Sequence, residues 1–308
     1  MALEVGIVGL PNSGKTTLFN VLTHAHADPR EFGKPHLGVA AIEDERLPEV
    51  AKVIGSAKVT PATLRILDVA GTEAQMLGEV RHVDAILAVV NGFVVGANPA
   101  ADLETIELEL LMADRDHVER RLERVRTQAK SGDPKLKAEI ADLERVLAHL
   151  EAERPLREWA EALPPGLEPL TTKPVIVVEN GPGGIDAKLE DELAELPEAE
   201  AAEFREGPSA LDEIVRRLFE ALDMIMFFTA NDNEARSWTL RRGRTALEAA
   251  GAIHTDIAHG FVRCEVIRWD DLVECGSRAE AARRGLQRLE GKTYVVQDGD
   301  VLNVRFNV

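Results

Sequence analysis

The sequence has little cysteine, no long apolar run and no excess of basic charge. Cys264 and Cys275 are the two cysteines among 308 residues, and neither belongs to a CxxC spacing, so we expect no zinc site and no disulfide framework. No apolar run approaches the roughly 18 residues that span a bilayer. The N-terminal residues have no basic region or apolar core of the kind found in signal peptides. We therefore expect a cytoplasmic protein without a membrane partner.

Acidic residues outnumber basic ones, and the excess is uneven along the chain. The formal net charge is −18, from 36 basic and 54 acidic residues. Residues 223–308 contain 12 basic and 13 acidic side chains, whereas residues 1–222 contain 24 and 41. An acidic surface repels phosphates, so we expect no DNA specificity and no general nucleic-acid binding by the first part.

A local basic patch in the second part of the chain is a further hypothesis. An RNA-facing surface would combine arginines with aromatic side chains, although tryptophans also pack in cores. The candidate residues are Arg241, Arg242, Arg244, Arg263 and Arg268, flanked by Trp238 and Trp269.

Strand and helix signals alternate over the first 90 or so residues. The segments "LEVGIV", "TLRILDVAG" and "DAILAVVNG" are short apolar runs, and "GKTTLFNVLTHA" has helical spacing. Strands that are apolar on both faces belong to parallel sheets covered by helices. The predicted fold class is therefore α/β, with a mostly parallel sheet in a first domain over residues 1–222.

A change of hydrophobic period predicts an inserted antiparallel helical hairpin, a coiled coil, at about residues 102–155. Apolar residues recur at steps of three and four up to Val125, and a second series runs from Leu136 to Leu150. Asp133 and Pro134 are typical of a helix N-cap and a first helical position. The charged faces of the hairpin are either solvated or bind a partner.

Residues 223–308 predict a second domain of the α+β class. The segments "RSWTL", "FVRCEVI", "KTYVVQDGD" and "VLNVRFNV" alternate like half-buried strands, and helical segments lie between them. The expected product is a small mixed sheet that packs a helix on one face.

The segment "GLPNSGKT" matches the phosphate-loop pattern G-x-x-x-x-G-K-[ST] in full, between a predicted strand and a predicted helix. Its glycines let backbone N–H groups approach phosphate oxygens, and the helix N-terminus adds positive potential. Lys15 would place its charge at the β- and γ-phosphates, and the Thr16 hydroxyl would ligate Mg²⁺. The predicted nucleotide-binding residues of this loop are Gly9, Pro11, Asn12, Ser13, Gly14, Lys15, Thr16 and Thr17.

A carboxylate ends the later strand "LRILDVAG". Asp68 stands where the Mg²⁺-linked carboxylate of P-loop proteins is found, so Thr16 and Asp68 are the predicted metal ligands. Gly71, in the pattern D-x-x-G, could donate its amide to the γ-phosphate. The predicted cofactor is Mg²⁺, and the predicted ligand is ATP or GTP.

These motifs resemble the YchF family, also called the Obg-like ATPases, which are P-loop proteins of the translation-factor GTPase class. "GIVGLPNSGKTTLFN" is similar to its phosphate loop, "DVAG" to its D-[IV]-A-G motif, and "NPAADLETIELELLMADRDHVERRLERV" to the start of its inserted coiled coil. "FFTANDNEARSWTL" and "YVVQDGDVLNVRFNV" resemble its TGS domain, a ubiquitin-like β-grasp module. The resemblance implies NTP hydrolysis, often with ATP favoured. It also implies association with the ribosome or ribosomal RNA, which we expect through the TGS-like domain and the helical hairpin.

The base-recognition motif of the family, N-x-x-E, occurs here as "NGPG". Asn180 is kept as a predicted nucleotide-binding residue, and Gly183 stands where the acid would be. In G proteins that carboxylate pairs with guanine, so its loss removes guanine discrimination. Strand alternation predicts that Glu179 points away from this loop. The acidic stretch that follows has no β-branched run, so we predict no counterpart of the family's next core strand.

The switch segments, which contact the γ-phosphate in such proteins, are short in this chain. No threonine lies between Thr23 and Thr60, which belong to a predicted helix and a predicted strand, so the switch I threonine is missing. Switch II is reduced to "GTEAQMLGEV", where Thr72 would either position the attacking water or stabilise a turn. The predicted catalytic residues are Lys15 and Thr72.

Three functions are compatible with these features. The first is a P-loop protein that hydrolyses ATP or GTP slowly, and the second is a nucleotide- or ribosome-binding adaptor with little or no hydrolysis. A small-molecule phosphotransferase is a weaker third, because "SGDP" and its flanking helices provide no arginine-rich lid. His24, His26 and His36 lie near switch I, but their irregular spacing disfavours a metal site there.

Overall fold

The computed structural model describes residues 3–25, 36–68, 77–129, 133–194, 196–204 and 208–307. The chain divides into two compact units, which we call the phosphate-loop unit (Glu4–Gly38 and Arg65–Leu211) and the C-terminal unit (Met1–Leu3, Val39–Leu64 and Asp212–Val308). This division places Val39–Leu64 in the C-terminal unit, whereas the predicted domains are contiguous in sequence. The domain boundary between residues 222 and 223 therefore stays a prediction.

The first sheet has five strands, β1 (Leu3–Gly9), β2 (His36–Ile42), β4 (Ala62–Asp68), β5 (Ala85–Asn91) and β6 (Val175–Asn180). Their order is β2-β4-β1-β5-β6, and β5 pairs in parallel with both β1 and β6. The apolar run "AILAVVN" suits the central strand β5, which is buried from Ala85 to Val90. The α/β class with a mostly parallel sheet is confirmed, and the ends of β1, β5 and β6 meet at one edge of the sheet.

Helices of the phosphate-loop unit are α1 (Lys15–Thr23), α3 (Pro99–Gln128), α4 (Pro134–Glu151), α5 (Ala187–Leu193) and α6 (Glu198–Phe204). Short 3₁₀ helices cover Gly78–His82, Leu156–Glu158 and Leu170–Thr172. The N-terminal half of α3 packs Ile106, Leu110 and Ala113 into the same core as Val8 and Ile86. This packing attaches the first helix of the hairpin directly to the sheet.

The outer part of the hairpin has its own apolar core. Val118, Leu122 and Val125 of α3 pack with Leu143 and Val146 of α4. Asn98 caps α3 and Asp133 caps α4, each through a side-chain oxygen that accepts a backbone N–H, and each is followed by proline. A helical hairpin close to residues 102–155 is therefore present, while its heptad geometry stays a prediction. No helix in the described part of the chain is long and apolar enough to cross a membrane.

The C-terminal unit contains a mixed six-stranded sheet. Its strands are β3 (Lys58–Thr60), β7 (Met224–Ala230), β8 (Glu234–Arg241), β9 (Phe261–Arg268), β10 (Arg288–Glu290) and β11 (Asp300–Phe306), and their order is β10-β9-β11-β7-β8-β3. The helices are α2 (Arg46–Ile54), α7 (Ala210–Leu222), α8 (Ala246–Ile253), α9 (Thr255–His259), α10 (Trp269–Cys275) and α11 (Arg278–Arg283). β11 runs parallel to β7 and antiparallel to β9, as a mixed sheet requires. Its identity as a β-grasp domain stays a prediction.

The expected strand "KTYVVQDGD" is not formed. Lys292 and Tyr294 accept hydrogen bonds from the backbone N–H groups of Leu247 and Ala246 instead, so this segment runs along the start of α8. Asp298 and Gly299 then form a turn into β11, in which Gly299 has a φ of +83°. Because the neighbouring helix takes its carbonyls, the alternating pattern of this segment does not produce a strand.

Candidate functional site

The loop between β1 and α1 has the close backbone packing that a phosphate loop needs. A Cβ atom on Gly9 would lie 2.7 Å from the Ser13 hydroxyl oxygen and would overlap the Val89 carbonyl oxygen. Gly14 caps α1 in the left-handed conformation, with a φ of +89°, and Asn12 also has a positive φ of 64°. The chain therefore enters α1 with its first N–H groups free of side-chain caps, as an anion-binding helix terminus requires.

Lys15 folds back over this loop. Its ammonium nitrogen donates hydrogen bonds to the carbonyl oxygens of Gly9, at 2.8 Å, and Leu10, at 3.0 Å. The side chain is largely buried, and burial lowers the pKa of Lys15, a shift that the carboxylates of Asp68 and Glu109 oppose. A neutral carbonyl oxygen binds an ammonium group more weakly than a phosphate does. An anionic ligand could therefore replace these two hydrogen bonds of Lys15.

Thr16 and Asp68 come together although they are 52 positions apart. The Thr16 hydroxyl donates to Asp68 Oδ2 at 2.9 Å, and the His36 ring nitrogen Nδ1 lies 3.5 Å from the same oxygen. Asp68 is 2% exposed, and its other oxygen, Oδ1, is buried without a hydrogen-bond partner among the described residues. A hydroxyl and a carboxylate with an unfilled acceptor are oxygen ligands of the type that Mg²⁺ prefers, so these residues fit the ion.

Asn180 joins three segments at the end of β6. Its Nδ2 donates to the Ser13 carbonyl oxygen at 2.9 Å, and its Oδ1 accepts the N–H of Ala187 at the start of α5, at 3.1 Å. The Asn180 amide occupies the space that a side chain on Gly14 would need. This places Asn180 against the phosphate loop, while its predicted contact with a base stays a prediction.

The prediction that Glu179 points away from the loop after β6 is wrong. A Cβ atom on Gly183 would lie 2.7 Å from Glu179 Oε1, and a Cβ atom on Gly92 would lie 2.8 Å from the same oxygen. The loop folds back over the strand end, because Ile185 N–H donates to the Glu179 carbonyl oxygen at 2.9 Å. Alternation along a strand does not foresee a loop that returns to the preceding residue.

The two threonines nearest to switch I have other partners. The Thr23 hydroxyl donates to the Phe19 carbonyl oxygen within α1, and the Thr60 hydroxyl donates to a Glu234 carboxylate oxygen. Gly71 and Thr72 lie outside the described residues. No cluster of three metal-ligating side chains occurs in the described ranges, which include His24 and His36 but not His26.

Sequence reasoning missed two residues of this region. Glu109 of α3 is close enough to act on the Lys15 charge, and its Oε2 is buried without a hydrogen-bond partner among the described residues. Phe93, just after β5, is 51% exposed, and its ring lies 3.9 Å from the position of a Cβ atom on Gly14. Asn91 fixes this turn by accepting the N–H groups of Phe93 and Val94. For Phe93, the only signal in the sequence was that an aromatic residue follows shortly after a buried strand.

Family models match both ends of the chain. Residues 4–121 match the model described as a 50S ribosome-binding GTPase, and residues 224–307 match the C-terminal YchF-GTPase model, described as a protein of unknown function. The second match begins two residues after the predicted domain boundary.

Whole-length relatives include proteins called ribosome-binding ATPase YchF from Bacillus subtilis and from Escherichia coli O157:H7. Both are 36% identical, over all of this chain and all of the relative. The Obg-like ATPase 1 of Oryza sativa subsp. japonica is 33% identical over 99% of this chain and 92% of its own. Among solved structures, the YchF GTPase of Schizosaccharomyces pombe is similar with a TM-score of 0.80 and 29% identity, over 98% of this chain and 97% of that one.

The alignment with the Bacillus subtilis protein contains positions that this chain lacks. It extends over 366 positions, whereas the chain has 308 residues, so the relative has residues at no fewer than 58 positions where this chain has none.

Proposed function

The chain belongs to the YchF family, and from this premise we propose that it binds ATP or GTP with Mg²⁺ and hydrolyses it slowly in connection with the ribosome. The observation that carries this proposal is the hydrogen bond of 2.9 Å between Thr16 and Asp68, beside the buried ammonium of Lys15. A hydroxyl, a carboxylate and a cation converge there at the N-terminus of α1, which is the arrangement that a bound triphosphate and its metal require.

The residues of the site have distinct roles in this proposal. Backbone N–H groups of the loop from Gly9 to Thr17, of which Pro11 has none, would hold the phosphates, and Lys15 would stabilise charge on the β- and γ-phosphates. Thr16 and Asp68 would hold Mg²⁺, which when bound neutralises phosphate charge. The Gly71 amide would contact the γ-phosphate, and the Thr72 hydroxyl would orient the attacking water.

Phosphate release measures the proposed activity directly. We expect the wild-type chain to release phosphate from ATP or GTP slowly, in a reaction that stops when EDTA removes Mg²⁺, because Thr16 and Asp68 provide a site for the ion. Titration with each nucleotide, with and without Mg²⁺, gives the affinities. If neither nucleotide binds in the presence of Mg²⁺, the proposed function is incorrect.

A second candidate function is an adaptor that binds nucleotide or the ribosome and hardly hydrolyses. The shortness of the chain favours it, since the Bacillus subtilis relative carries residues at no fewer than 58 positions that this chain lacks. The switches are also predicted to be short, and ordered switches position the attacking water. Nucleotide binding without Mg²⁺-dependent phosphate release would support the adaptor over the hydrolase.

We propose that the ribosome is the macromolecular partner, which also implies a cytoplasmic location, and that the C-terminal unit and the hairpin contact it. The predicted basic patch is partly neutralised within its own unit. Arg242 pairs with Asp223 at 2.9 Å, Arg244 with Glu248 at 2.6 Å, and Arg268 with Asp270 at 3.0 Å. Trp238 packs in the core of this unit and donates its indole N–H to Thr229. Arg241 and Arg263 are exposed and are the candidates for phosphate contacts, and Arg241 also interacts within the chain.

The double variant Arg241→Glu with Arg263→Glu is expected to cosediment with ribosomal particles several-fold less than the wild type. The logarithm of the affinity falls linearly with the logarithm of the salt concentration, and each lost phosphate contact should make this slope shallower by about one. A control variant of equal charge, Arg283→Glu with Lys292→Glu, changes exposed residues of the same unit. If both variants cosediment like the wild type, the contact lies elsewhere.

A further inference from the structure

The loop after β6 contains a carboxylate in an unexpected place. Gly183 occupies the motif position at which relatives are expected to carry an acid. Glu179 Oε1 lies 2.7 Å from where the Cβ atom of residue 183 would be, so this carboxylate lies in the direction that a side chain at position 183 would take. Gly92 on the neighbouring strand end leaves room for the same oxygen.

The Glu179 carboxylate is free to take a ligand. The side chain is half-buried, and within the part of the chain that the structure describes it makes no hydrogen bond or ion pair. Its oxygens can therefore accept hydrogen bonds from a donor outside the chain, and hydrogen bonds to a charged acceptor are stronger than neutral ones. Glycines at positions 92, 183 and 184 surround it, so no other side chain of the loop competes for it.

Glu179 lies beside the residues that contact the phosphate loop. The next residue, Asn180, contacts the Ser13 carbonyl oxygen, and Gly92 is followed by Phe93, whose ring lies against Gly14. The ends of β5 and β6 therefore flank the phosphate loop, at the edge of a parallel sheet where ligands of α/β proteins bind.

We propose that Glu179 is a specificity-determining residue whose carboxylate accepts a hydrogen bond from an N–H group on the Watson–Crick edge of a bound purine. It would do so in place of the acid that is absent at residue 183. The proposal rests on nucleotide binding at the phosphate loop. Adenine offers its exocyclic amino group, and guanine offers a ring N–H and an exocyclic amino group, so both carry the required chemistry.

Four triphosphates separate the possible donors. ATP has only the amino group on this edge, ITP has only the ring N–H, GTP has both, and purine riboside triphosphate has neither. We expect the wild-type chain to bind purine riboside triphosphate about tenfold or more weakly than the better of ATP and GTP, because hydrogen bonds to a charged acceptor are strong. The affinity for ITP then shows whether the ring N–H or the amino group is the donor.

The variant Glu179→Ala is expected to bring this ratio close to one. Glu192→Ala removes an exposed charge from the same unit and should leave the ratio unchanged. The double variant Glu179→Ala with Gly183→Glu should recover discrimination, since the oxygen nearest to a Cβ at position 183 has then been removed. If Glu179 had a purely structural role, an acid at position 183 would not restore the discrimination between triphosphates.

Two results would overturn the proposal. In one, Glu179→Ala keeps the wild-type ratio, either with unchanged affinities or with an equal loss for all four triphosphates, which assigns base selection to another residue. In the other, the wild-type chain binds none of the four triphosphates, and the proposed function then fails together with this inference. Collapse of the ratio in Glu179→Ala, with recovery in the double variant, supports it.

Discussion

Replacing Lys15 by alanine is expected to lower Mg²⁺-dependent phosphate release by about 10²- to 10³-fold, the effect of removing one preorganised charge-stabilising group. Lys15 is the buried cation of the phosphate loop, held over Gly9 and Leu10 by hydrogen bonds of 2.8 and 3.0 Å. Its loss removes the positive charge and leaves Asp68 and Glu109 without the cation that opposes their own charge. Phosphate release from ATP and GTP at saturating nucleotide is the measurement, and nucleotide titration shows how much of the loss is binding.

The matched control is Lys188→Ala, which removes a lysine of the same unit whose side chain is 85% exposed. Its phosphate release should equal that of the wild type. Circular dichroism of Lys15→Ala checks that the fold is kept, because alanine removes the hydrogen bonds to the carbonyl oxygens of Gly9 and Leu10. Equal, near-background rates for wild type and Lys15→Ala would reject the hydrolase and favour the adaptor.

Asp114→Ala is expected to destabilise the protein by about 3–5 kcal/mol, the cost of leaving a buried charge without its partner. Asp114, on α3, is 1% exposed and pairs with the 6% exposed Arg81 at 2.6 Å. The same carboxylate accepts the N–H groups of Leu170 and Thr171 and the Thr171 hydroxyl, at 2.8 to 2.9 Å. One side chain thus ties the 3₁₀ helix Gly78–His82 and the segment Leu170–Thr172 to the first helix of the hairpin.

Urea unfolding followed by circular dichroism gives the loss of stability. Hydrogen exchange locates it, because the amides of Leu170 and Thr171 should lose protection first. Asp116→Ala is the matched control, since Asp116 is two residues away and its pair with Arg115 is exposed. That variant should change stability by no more than about 0.5 kcal/mol. A loss below about 1 kcal/mol for Asp114→Ala would show that water reaches Arg81 and replaces the pair.

Local features of the sequence were sufficient to predict most helices and strands of the fold. The parallel strands follow from apolar runs, the hairpin from its period of three and four, and the start of α4 from Asp133 and Pro134. The phosphate loop is a contiguous stretch in which glycine, lysine and threonine have chemically defined positions. The strand expected at "KTYVVQDGD" failed because its carbonyl partners lie on a helix about 45 residues earlier, which periodicity cannot show.

The pairing of distant residues came only from the tertiary structure. Arg81 and Asp114 are 33 positions apart, and Asp114 and Thr171 are 57 apart, so no local pattern marks them as partners. Glu109 reaches the Lys15 charge because α3 packs on the sheet, and Glu179 meets Gly183 because the loop folds back over β6. The sequence by itself determined which segments form strands, helices and the phosphate loop, since backbone preference and hydrophobic period act over a few residues. Only the tertiary structure decided which carboxylates surround that loop, because their positions depend on the path of the chain between them.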